Sequence, residues 1–162
     1  MKKALTTAGF VLFSFMLPMK AMASNLSQFY VFGDSLSDTG NIFTATEGLI
    51  NPETAIPPKP PYAQGRFSNG DIWVDFVGDE IGLTPTIFLS SQTNIPADGV
   101  NFAFGGSSSG LDNTLAPNFG LPGVLGQVGL FTQNLQANNQ QADPNALYTI
   151  WGGANDYLFG NV

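Results

Sequence analysis

The sequence predicts an α/β fold layered around a parallel sheet, and three observations point to it. Three short apolar runs read as strands. Segments with helical spacing alternate with them. Each run stops at glycine and is followed at once by small polar residues. Turns of this kind gather at the carboxyl ends of the strands, where open parallel sheets build their sites.

The first run is Phe29-Tyr30-Val31-Phe32, closed by Gly33. It is short, aromatic and β-branched, the signature of a buried strand. Residues 47–65 form a proline-rich loop, in which Pro57, Pro58, Pro60 and Pro61 forbid helix and favour extended backbone. Residues 69–82 read as a helix. Ile72, Trp73, Phe76, Val77 and Ile81 recur at helical spacing, Ser68 and Asp71 resemble a capping box, and Gly82 closes the end.

A second strand is expected over residues 100–104 (VNFAF), running into Gly105-Gly106 and a glycine- and serine-rich turn to Gly110. Residues 123–138 form the next helix, with Val124, Val128, Phe131 and Leu135 on one stripe. Asp143-Pro144-Asn145 is a turn. The third strand, residues 146–151 (ALYTIW), ends at Gly152-Gly153. No internal repeat or heptad pattern is present.

Composition narrows the function. The chain has 162 residues, one domain's worth, and 43% are hydrophobic, so a real core is available. Lys2 and Lys3, the apolar stretch Phe10–Leu17 and the small-x-small site Ala21-Met22-Ala23 read as a secretory signal peptide over residues 1–23. That segment predicts a secreted, periplasmic or cell-surface protein. Its removal leaves Lys59 and Arg66 against 12 acidic residues, a net charge of −10. Such a surface repels phosphate backbones, so nucleic acid is not an expected partner. With neither cysteine nor histidine, the chain can build no disulfide and no ordinary zinc or copper site. A carboxylate calcium site stays open, although EF-hand spacing is absent. No cofactor is expected.

Chemistry concentrates in three strand-end loops. The first is Gly33-Asp34-Ser35-Leu36-Ser37-Asp38-Thr39-Gly40-Asn41, the second Gly105-Gly106-Ser107, and the third Gly153-Ala154-Asn155-Asp156. Taken singly, each has a bland reading: an Asx or Ser turn, a positive-φ glycine turn, and a helix cap. Taken in order, they resemble the blocks of the SGNH/GDSL hydrolase superfamily. Pro60-Pro61-Tyr62, Gly65-Arg66-Phe67-Ser68-Asn69-Gly70 and Ile72-Trp73-Val74-Asp75 resemble the segment after the first block in plant-type and bacterial lipase-like members. The resemblance covers most of residues 28–160.

The resemblance implies a three-layer, flavodoxin-like sandwich with a parallel central sheet (the SGNH hydrolase fold), of which residues 24–162 are the N-terminal portion, with the C-terminal part missing. It implies a serine esterase or lipase acting on a small-molecule or lipid ester. Ser35 is then the nucleophile. The Ser35 amide, the Gly106 amide (Gly105 being the near alternative) and the Asn155 side chain are the oxyanion donors. Members draw their base from a D-x-x-H block near the C-terminus, and some carry a further histidine-bearing block. This chain has no histidine. Asp34, Asp38 and Asp156 are weak bases for an alcohol and better suited to fixing their own turns. Two explanations remain: a fragment of a longer hydrolase, itself inactive, or a non-catalytic ester- or glycan-binding module that kept the half-site. Truncation is the expected one.

Overall fold

A computed structural model describes residues 26–47, 55–63, 65–91 and 96–159. The proposed signal peptide and part of the proline-rich loop lie outside them. The elements run β1 (Phe29–Gly33), α1 (Asn41–Glu47), α2 (Trp73–Ile81), β2 (Thr86–Ile87), β3 (Val100–Asn101), α3 (Val124–Ala137), β4 (Leu147–Trp151) and α4 (Ala154–Leu158). The four strands form one sheet in the order β2-β3-β1-β4, and every pairing is parallel. The expected α/β class and parallel sheet are present.

Alternation along β1 makes the layers. Phe29 and Val31 pack with Val74, Trp73 and Val77 of α2 on one face. Tyr30 and Phe32 pack with Phe102 and with Phe131 and Val128 of α3 on the other. Side chains two apart along a strand share a face, so one strand supplies both cores. Fully burying a side chain such as Phe29 contributes about 2–3 kcal/mol. After β1 the chain crosses to β2 and then β3 on one side, and after α3 it returns to β4 on the other. The carboxyl end of β1 is therefore a topological switch point, with a crevice between the departing loops.

Several boundaries differ from expectation. The helix expected over 69–82 starts only at Trp73. The Ser68–Asp71 pair does not cap it, because Ser68 Oγ accepts the Gly70 amide at 3.3 Å. The cap comes from Asp75, whose carboxylate accepts the Ile72 amide at 2.8 Å. Gly82 ends the helix with φ 72°, as expected. The strand expected over 100–104 is regular only at Val100–Asn101. Its backbone still follows β1, with the Phe102 amide donating to Val31 O (2.7 Å) and the Phe104 amide to Gly33 O (3.2 Å).

Candidate active site

The crevice is floored by the turn after β1. Asp34 O accepts the amides of Ser37 and Asp38, each at 3.0 Å, and Asp34 Oδ1 accepts the Leu36 amide at 3.0 Å. These bonds fold the chain back on itself and leave Ser35 at the bend, half-buried. Neither the Ser35 amide nor its hydroxyl is bonded within the described residues. Burial pushes the Asp34 carboxyl up, against the lowering effect of the Leu36 and Asp34 amides.

Asp38 closes the turn from inside. It is fully buried, and its oxygens accept four backbone amides: Gly40 (2.7 Å), Asn41 (2.6 Å), Ile42 (3.1 Å) and Gly105 (2.8 Å). The first three start α1, a helix that the sequence pattern did not reveal. The fourth ties the first loop to the second. Burial raises the Asp38 carboxyl to about 6, and the four amides oppose the rise. Because its folded value lies above that of an unfolded aspartate, Asp38 stabilises the fold most below about pH 4, and the contribution is lost as pH rises through about 6. Urea unfolding from pH 4 to 7 should therefore show wild type losing stability relative to Asp38→Asn. A wild-type minus variant difference that is flat across this range would contradict the buried, ionisable state.

The second loop turns at Gly106, where φ is 82°. A Cβ there would lie 2.3 Å from Leu115 Cβ, so both backbone conformation and space require glycine. The Gly106 amide has no acceptor among the described residues. The third loop enters α4 through Gly153 at φ 111°. Asn155 is buried in the first turn, and its Nδ2 donates to Ser107 O at 2.9 Å. That bond uses one amide proton, orients the side chain and leaves a second proton. Asp156 accepts the Ser109 hydroxyl (2.7 Å) and amide (2.9 Å), which hold its carboxyl below the usual range. Asp34, Asp38 and Asp156 thus fix turns, as their sequence positions suggested.

Ser35, Gly106 and Asn155 border one pocket of about 180 Å³, together with Phe67, Leu115, Leu158 and Phe159. The three expected site residues are therefore brought together. Gly105 is set deeper, its Cα pressed so close to Phe67 that a Cβ would fall 2.2 Å from that ring. Phe67 is presented by a loop that Arg66 anchors through a paired contact with Asp75, at 2.8 and 2.6 Å. No cluster of three or more metal-ligating side chains occurs among the described residues.

Gln127 was missed by sequence reading. It projects from α3, is fully buried, and treats the end of β1 as a strand neighbour would. Its Oε1 accepts the Gly33 amide (2.8 Å), while Nε2 donates to Gly33 O (2.8 Å) and to Ser107 Oγ (2.8 Å). One side chain thus joins the roots of the first and second loops. The signal was available: Gln127 is a polar residue between Val124 and Phe131 on the apolar stripe of its helix.

A model of the GDSL-like Lipase/Acylhydrolase family matches residues 29–161. The chain belongs to this family. A phosphatidylcholine-sterol acyltransferase of Aeromonas hydrophila is 34% identical over 133 residues, covering 82% of this chain and 33% of the relative. One GDSL esterase/lipase of Arabidopsis thaliana is 31% identical over 169 residues, covering 91% of this chain and 42% of the relative. Another is 38% identical over 84 residues, covering 48% of this chain and 21% of the relative. The chain thus spans less than half the length of these curated GDSL relatives. Membership in the SGNH/GDSL superfamily and its parallel-sheet fold agree with the sequence-based expectation, and ester hydrolysis is the general activity that the family supports.

Proposed function

We propose that this GDSL-family chain is the N-terminal portion of an exported serine ester hydrolase that works through an acyl-Ser35 intermediate. The observation that carries the reading is the single pocket shared by Ser35, Gly106 and Asn155. Ser35 Oγ attacks the ester carbonyl carbon, and the carbonyl π electrons move onto oxygen. The Ser35 amide, the Gly106 amide and Asn155 Nδ2 donate to that oxyanion, each preorganised donor lowering the barrier by about 3–4 kcal/mol. Collapse expels the alcohol and leaves acyl-Ser35, which water then cleaves. The serine proton needs a base of higher pKa than a turn-bound aspartate, and this chain has no histidine to supply one. The base is assigned to a D-x-x-H block elsewhere in the whole protein. The apolar wall formed by Phe67, Leu115, Leu158 and Phe159 suits the acyl part of a lipid or small-molecule ester. The acyltransferase relative supports a lipid substrate.

A fluorophosphonate probe tests the reading. In the protein expressed from its complete reading frame, it should label Ser35. The isolated 162-residue chain should take up little label and show little or no p-nitrophenyl ester turnover. Clear Ser35-dependent turnover by the isolated chain would refute its inactivity. Ligand binding without labelling in the complete protein would favour the non-catalytic module instead.

A further inference from the structure

The Gly105–Gly106 peptide is gripped at its carbonyl oxygen, and the peptides on either side of it are held as well, by groups that no step of the reaction consumes. Asn113 is buried at 2% exposure, and its Nδ2 donates to Gly105 O at 2.8 Å. Its Oδ1 accepts the amides of Leu115 (3.1 Å) and Ala116 (2.9 Å). Asp38 takes the Gly105 amide at 2.8 Å. On the far side, Gly106 O accepts the Thr114 amide and the Thr114 hydroxyl, both at 2.8 Å.

Gly105 C=O and Gly106 N–H are the two ends of one peptide unit. That unit is not among the cis peptides of the described residues, which all precede proline. In a planar trans peptide the carbonyl and the amide hydrogen point in opposite directions. A donor that grips Gly105 O therefore also sets the aim of Gly106 N–H. Glycine on both sides leaves no side chain to hinder rotation of this plane, so its direction must be imposed from outside. A hydrogen bond to the carbonyl also polarises the peptide and strengthens its amide as a donor.

We infer that Asn113 is a positioning residue, which orients the Gly105–Gly106 peptide so that the Gly106 amide faces the oxyanion, with Asp38 bracing the preceding amide. The inference rests on the proposed hydrolase reading and adds to it a residue outside the three strand-end motifs. Asn113 touches neither the pocket nor Ser35. It acts through the peptide plane.

The test is Asn113→Asp in the protein expressed from its complete reading frame, assayed on p-nitrophenyl butyrate. The two side chains are nearly isosteric. Aspartate keeps the acceptor that serves Leu115 and Ala116, but it replaces the donor to Gly105 O with a second acceptor oxygen and, when ionised, buries a charge. The kcat should fall about tenfold or more with KM within about twofold, because a mis-aimed donor weakens transition-state binding alone. If Asn113→Asp does not fold, Asn113→Ser, which removes the same donor without burying a charge, must show the same kcat-selective loss. A folded variant with wild-type kcat, or one whose kcat falls only in step with its Tm, overturns the inference. Wild-type protein without Ser35-dependent turnover overturns the hydrolase reading itself, and the positioning role with it.

Discussion

Ser35→Ala is expected to lower the ester-hydrolysis kcat of the protein expressed from its complete reading frame by about 10,000-fold or more. The substitution removes one hydroxyl from a bend whose hydrogen bonds all come from neighbours. Asp34 O still accepts the Ser37 and Asp38 amides, and Asp34 Oδ1 still accepts the Leu36 amide. The fold should therefore be unchanged and the Tm close to wild type. Residual hydrolysis would come from substrate binding and the oxyanion donors acting on attack by water. Steady-state kinetics on p-nitrophenyl esters measures the effect. Retention of even a tenth of wild-type kcat in well-folded Ser35→Ala would remove the nucleophile assignment.

Gln127→Leu is expected to destabilise the fold by about 1–3 kcal/mol, the cost of a buried polar group stripped of its partner. Leucine fills similar space, so cavity formation is small and the loss reports polar satisfaction. It strands the Gly33 amide and removes one of two donors to Gly33 O and one contact of Ser107 Oγ. Gly33 O keeps the Phe104 amide and Ser107 Oγ keeps two carbonyls, so one full penalty applies. Urea unfolding gives the number. A loss below about 1 kcal/mol would mean that water reaches Gly33 in place of the amide.

Strands with strong local character were legible in the sequence. Phe29–Gly33 and Leu147–Trp151 fall within a residue of expectation, since apolar runs ended by glycine encode them directly. So does α3, whose stripe is long enough to count. The two residues of β2 carry no periodicity at all. The seven residues of α1 include β-branched Ile42, Thr44 and Thr46, and the helix depends on the Asp38 carboxylate at its start rather than on propensity. At the site, the three strand-end motifs marked Ser35, Gly106 and Asn155. Gln127 and Asn113 stayed hidden because their partners are backbone atoms 94 and 8 residues away, which no motif records.

Every described residue bordering the pocket is uncharged. Neutral dipoles can greet a fleeting alkoxide, yet they offer little grip on a finished carboxylate that water solvates well. Under the proposed hydrolase reading, a fatty acid released beside Ser35 would meet no ammonium or guanidinium among the described lining residues, and the net charge of −10 expected after signal-peptide removal would push it outward. On that reading, clearance of spent acid would be favoured by the same neutrality that leaves the proposed oxyanion donors unneutralised.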